Sequence, residues 1–76
     1  MMYDYRITAQ IIGKLRVQNE LSQQELASKA GIARSHYAMI ENGAKSPNVE
    51  TLWRITYALG LQLSDLFLLV ESQAFH

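Results

Sequence analysis

Apolar residues recur along this chain at steps of three and four, and clusters containing Gly, Asn, Ser or Pro part them into five groups. That period belongs to helices, so five short helices and no strand are expected. Residues Met1 to Arg6 carry two tyrosines and no clear period, which predicts a partly ordered arm. The first helix begins between Asp4 and Thr8, either of which can cap it, and gives out near Asn19-Glu20. Its buried stripe is Ile11, Ile12 and Leu15, flanked by Ala9, Arg16 and Asn19. Ser22 with Glu25 three residues later forms a capping box at the head of the second helix, residues 22–30. Leu26, Ala27 and Ala30 then share one face, and Gly31 supplies the left-handed stop. After Ile32 in the turn, Ala33 begins a third helix over 33–41 with Tyr37 and Ile40 on one side, and Asn42-Gly43 ends it.

Pro47 disfavours helical geometry at Ser46, and Asn48 is a good cap for the fourth helix. Val49, Leu52, Ile55, Ala58 and Leu59 form its stripe, and Gly60 stops it. Leu61 and Leu63 bracket Gln62 in a connector. Ser64 is expected to cap the fifth helix, filled by Leu66, Phe67, Leu69 and Val70, with Asp65 at the positive end of its dipole. The fold class is therefore all-α, with no internal repeat. Helices two and three are each too short to stand alone, and a Gly-containing turn joins them at a steep angle.

Composition narrows this picture. Seventy-six residues make a single domain, its core running from about residue 8 to about residue 70, between a short arm and a C-terminal extension. With no cysteine, disulfides and thiolate zinc sites are excluded, and a reducing compartment is the simplest setting. No apolar run approaches the ~18 residues of a membrane span, and the first ten residues lack the pattern of a signal peptide. A cytoplasmic location in a prokaryote or phage system, near the nucleoid, is expected. Seven basic residues balance seven acidic ones, so the global basic excess common in nucleic-acid binders is missing. The distribution is less even: from Lys29 to Arg54 four basic residues face only Glu41 and Glu50.

Several segments then fall into a known order. Arg16 lies late in helix one, followed by LSQQELA from Leu21 to Ala27, Ala30-Gly31-Ile32, IENG from Ile40 to Gly43, SPNVETL from Ser46 to Leu52 and ALGLQLSDLF from Ala58 to Phe67. Together they resemble the lambda repressor and Cro-like helix-turn-helix family, over roughly Ile11 to Phe67. The resemblance implies five helices with the third lying in the DNA major groove. It implies base contacts from Arg34, Ser35, Ala38 and Met39, and phosphate contacts from Gln23, Asn42 and Lys45. Arg16 and Glu41 match a buried ion pair tying helix one to helix three. The chemistry agrees, because Arg34 can fork onto guanine O6 and N7, and Met39 can touch a thymine methyl. His36 is added as a phosphate or base contact. Ala33 departs from the family, standing where Ser or Thr often caps helix three, which removes a cap worth about 1 kcal/mol.

Trp53 and Tyr57 lie four apart, off the stripe of the fourth helix. Either they are half-buried by Tyr3, Tyr5 or Phe75, or they form a homodimer seam with Leu68, Val70 and Phe75. The seam is preferred, since two copies about 34 Å apart would read both halves of a palindromic operator. The expected function is that of a DNA-binding transcriptional regulator. After the fifth helix too few residues remain for a ligand-sensing domain, so control would lie in concentration, dimerisation or a protein partner. An alternative class is an antitoxin or protein-interaction module that also binds its own promoter. An enzyme finds no support: no nucleophile–base pair, phosphate-binding Gly loop or metal spacing is present, and no cofactor is expected.

Overall fold

The helical spacing read from the sequence is realised in a computed structural model that describes residues 3–74. Five α-helices follow one another: α1 (Tyr5–Gln18), α2 (Gln23–Ala30), α3 (Arg34–Glu41), α4 (Val49–Ala58) and α5 (Leu63–Ala74). No strand occurs among the described residues.

Each boundary has a chemical cause. The Asp4 carboxylate accepts the Arg6 N–H and starts α1, so Tyr5 and Arg6 belong to the helix and the expected arm is shorter than residues 1–6. Tyr3, before the helix, is itself tied down by a 2.6 Å bond to the buried Thr8 hydroxyl. Met1 and Met2 lie outside the described residues. Ser22 and Glu25 close the capping box, with bonds of 3.0 Å and 2.8 Å. The bonds with Ser22 hold the Glu25 carboxyl below its ordinary range. Gly31 ends α2 at φ +71, the left-handed region that a Cβ disfavours. Asn48 caps α4 by accepting the Thr51 N–H.

The cap of α5 differs from expectation. The helix starts at Leu63, not in a connector beyond it, and the bond at its head runs from the Gln62 N–H to the Asp65 carboxylate. Ser64 is therefore not the cap. An acid at the third helical position reaches back to a preceding N–H whatever that residue's side chain, so Asp65 sets the start.

The core collects one face of every helix: Ile11 and Ile12, Leu26 and Ala27, Tyr37 and Ile40, Leu52 and Ile55, Leu66 and Val70. Helix α2 packs on α3 and α4, α1 on α3 and α5, and α4 on α5. Four apolar residues sit elsewhere than expected, among them Phe67 and Leu69 of α5, which are exposed. Val49, placed in the α4 stripe, is exposed, because its position on the helix is about a quarter turn from the Leu52–Ile55–Leu59 face. Val70, proposed for a dimer seam, is buried beside Leu66 one turn earlier and is excluded from any surface.

Candidate nucleic-acid interface

Helix α3 is eight residues long, with Tyr37 and Ile40 sunk in the core. The same period turns Arg34, Ser35, Ala38 and Met39 to the opposite side, where Arg34, Ser35 and Met39 are exposed and Ala38 is half-buried. Among the described residues none of these four side chains makes a hydrogen bond or ion pair. Ala33 precedes the helix in extended conformation and offers no side-chain acceptor. The first N–H groups of α3 therefore emerge uncapped beside Arg34, at the positive end of the helix dipole. Restoring the cap as Ala33→Ser is expected to raise stability by about 1 kcal/mol. Urea unfolding measured beside the parent chain checks this.

His36 is half-buried at the edge of this face. Asn42 and Lys45 are exposed just beyond its C-terminus. The Asn42 side-chain oxygen accepts the Ala44 N–H at 2.9 Å, while the Ala44 and Lys45 N–H groups both donate to the Met39 carbonyl. The loop is thereby folded back over the end of α3, and the Asn42 amide N–H₂ points its donors away from that bond.

Behind the exposed face lies the device that sets the angle of α3. Arg16 of α1 donates from Nε to both carboxylate oxygens of Glu41, at 3.0 and 3.2 Å, and from Nη1 to the Leu21 carbonyl at 2.7 Å. Gln23, the first residue of α2, donates from Nε2 to Glu41 Oε2 at 2.6 Å. The side chains of Arg16 and Glu41 are only 18% and 10% exposed, so the pair is shielded from water. One carboxylate thus joins α1, the head of α2 and the end of α3, and its partner Arg16 ties in the α1–α2 turn. Tyr37 lies alongside, its hydroxyl buried with no hydrogen-bond partner among the described residues. Burial first, and then the negative charge of Glu41, push that hydroxyl far above the ordinary phenol range, so it stays neutral.

The structure thus brings together the expected Arg16–Glu41 pair and adds two residues that the sequence does not assign to it. Gln23 spends one amide hydrogen on Glu41 and keeps the other, so it is oriented by the pair rather than standing alone. Gly13 is the second. A Cβ there would stand 2.7 Å from Glu41 Oε1, so only glycine lets the carboxylate come this close to α1. Gly13→Ala gains helix propensity of about 1 kcal/mol. Displacing a carboxylate held by charged hydrogen bonds loses about 2 kcal/mol. A net loss of about 1 kcal/mol is expected, read as a lowered melting temperature, where Ala in an ordinary helix would raise it.

On α4, Trp53 is 60% and Tyr57 78% exposed. Those values contradict the reading in which Tyr3 or Tyr5 half-buries them. They line an open groove of about 480 Å³ between α4 and α5, together with Thr56, Leu61 and Leu63. Leu68 is also exposed, and Phe75 lies outside the described residues. No single described helix is long and apolar enough to cross a membrane.

The helix-turn-helix family model matches residues 12–66, which include α2, α3 and the Glu41 junction. The chain belongs to this helix-turn-helix family. Its relatives are of the lambda-repressor-like kind. It is 36% identical over 61 residues to the control protein C.MunI of a Mycoplasma species, covering 79% of this chain and 82% of that one. It is 38% identical over 69 residues to the immunity repressor of Bacillus phage phi105, covering 86% of this chain but 48% of the repressor, so it spans about half that protein's length. Among solved structures, the restriction-modification controller protein C.AhdI of Aeromonas hydrophila superposes with a TM-score of 0.81 at 27% identity. That match covers 87% of this chain and all of the controller.

Proposed function

We propose that this helix-turn-helix chain is a sequence-specific DNA-binding transcriptional regulator that works as a homodimer on a palindromic operator. The observation that carries the proposal is the exposed, uncapped head of α3 with Arg34 and Ser35 beside it, braced from behind by the Arg16–Glu41–Gln23 junction. A helix end of this kind offers N–H groups and positive potential to an anion, and Arg34 can read guanine. Arg34, Ser35, Ala38 and Met39 face the bases. Gln23, His36, Asn42 and Lys45 face phosphates. The names of the relatives, controllers and an immunity repressor, agree with a regulatory role and point to no enzyme. Such a protein operates in the cytoplasm of a prokaryote, on chromosomal or phage DNA.

One short helix in one groove makes few contacts, and Ala38 and Met39 add little hydrogen bonding. Dimer spacing and DNA shape therefore supply much of the specificity. Trp53, Tyr57 and Leu68 form the seam in this proposal, with Val49 added, since Val49, Trp53 and Tyr57 follow one another at four-residue steps along α4. Selection of bound duplexes from a random pool at low salt is expected to return a palindrome. Absence of any motif counts against sequence-specific binding. Sedimentation that shows only monomer at tens of micromolar, even with the selected duplex present, sinks the dimer. The same exposed aromatics suit the second reading, an antitoxin-like module, which co-purification with a stoichiometric protein partner would favour.

A further inference from the structure

We propose that Arg6, on α1, is a phosphate-binding residue of the DNA interface, held in its binding geometry by Asp4. The proposal rests on the DNA-binding reading above and adds a residue from outside the helix-turn-helix. Its basis is a contact that the sequence does not reveal. A Cβ on Gly43 would stand 3.2 Å from Arg6 Cγ, 3.8 Å from its Cβ and 3.9 Å from its Cδ. The aliphatic stem of Arg6 therefore lies against the loop backbone between Asn42 and Lys45. Gly43, at φ +80, leaves the space it occupies.

Beyond that stem the charged head is at the surface, the Arg6 side chain being 71% exposed. Asp4 holds it in a fork: Nε donates to both carboxylate oxygens at 3.1 Å, and Nη2 donates to Oδ2 at 2.8 Å. Two parallel N–H groups aimed at two oxygens is also how a guanidinium grips a phosphate. The carboxylate thus stands in the place that a backbone phosphate would take. An exposed pair of this kind is weak and screened by water, so exchanging one anion for the other is readily reversible.

Charge at this corner favours the exchange. Residues 42–48 contain one lysine and no acid, and the Glu41 carboxylate is turned inward to Arg16 and Gln23. Arg6, Asn42 and Lys45 then form a cluster of phosphate ligands on neighbouring backbone, with Asp4 as the carboxylate that Arg6 must exchange. Binding of the phosphate releases Asp4 to water while its backbone bond to Arg6 still caps α1.

The test uses fluorescence anisotropy of the full chain on two duplexes, the selected operator and a random sequence, across a salt series. Arg6→Gln is expected to weaken both duplexes alike and to flatten the salt slope by about one counterion. That is a loss of about threefold in the affinity change between 50 and 200 mM salt. Asp4→Asn keeps the capping oxygen and removes the charge, and it is expected to tighten binding to both duplexes. Arg6→Lys, which keeps stem and charge, is expected to restore the slope, separating the charge from any change in folding. An unchanged slope in Arg6→Gln, or an Asp4→Asn chain that binds no tighter than the parent, overturns the proposal. If the parent binds neither duplex at low salt, the DNA reading itself fails and Arg6 falls with it. If the parent binds and Arg34→Ala erases its preference for the operator while Arg6→Gln keeps its slope, only the role of Arg6 is refuted.

Discussion

Glu41→Ala is expected to cost about 3 kcal/mol of folding stability, the largest loss of any single substitution considered for this chain. The reason is what remains after the carboxylate goes. Arg16 is left 18% exposed with its Nε unpaired, and Gln23 loses the acceptor of its shortest bond. An uncompensated cation in a shielded site is the costly state, more so than the loss of the attraction itself. For a domain of this size a loss of that order lowers the melting temperature by about 15 °C. Thermal unfolding followed by circular dichroism measures it. The double replacement Arg16→Met with Glu41→Leu, which removes both charges, is expected to recover only part of the loss: an apolar pair can match a buried ion pair, but the Leu21 carbonyl and the Gln23 amide lose their partners. A Glu41→Ala cost below about 1 kcal/mol would place the pair among exposed ones and leave α3 held by its apolar face alone.

The largest expected effect on binding belongs to Arg34→Ala. Loss of a guanidinium proposed to fork onto guanine is expected to cost ~1–3 kcal/mol on the selected operator and to relax one position in each proposed half-site. Its melting temperature is expected to stay within a few degrees of the parent's, since Arg34 is exposed and its side chain makes no bond among the described residues. Lys45→Ala offers the contrast: taking away a cation proposed to meet only phosphate is expected to weaken all duplexes alike and to leave the motif unchanged. The pattern is read by repeating the selection with each variant. An Arg34→Ala chain that returns the parent's motif unaltered would remove Arg34 from base reading.

Local chemistry is legible wherever a single residue acts on its own backbone. Ser22 with Glu25, Gly31 and Asn48 each announce a helix end, and the structure places ends there, while between the two candidate caps of α1, Asp4 and Thr8, it takes Asp4. The apolar period also locates most of the core. What sequence does not carry is tertiary approach. Gly13 reads as a weak spot inside a helix until the Glu41 carboxylate is seen against it. Gln23 reads as a phosphate contact by resemblance, and its bond to Glu41 shows only in the structure. Arg6 reads as part of an arm, because nothing local says that α1 begins beside the loop after α3. Val49 and Val70 depart from their expected places for a related reason. Each is apolar at a position where the helical angle, and which neighbour covers it, decides between core and surface. For Trp53 and Tyr57 the spacing correctly sets them off the stripe, and the structure adds how openly they stand.

The division of labour within α3 has a practical corollary. The side chains that fix its angle, Tyr37, Ile40 and Glu41, share no hydrogen bond or ion pair with the four proposed to meet bases. Substituting the exposed three of those four, Arg34, Ser35 and Met39, should therefore leave folding nearly untouched, within about 0.5 kcal/mol per site. Libraries that randomise Arg34, Ser35 and Met39 and keep Ala38 small would in that case yield mostly folded members. Altered operator preference could then be selected from them without rescuing a damaged scaffold, which would make this domain a cassette for new DNA specificities.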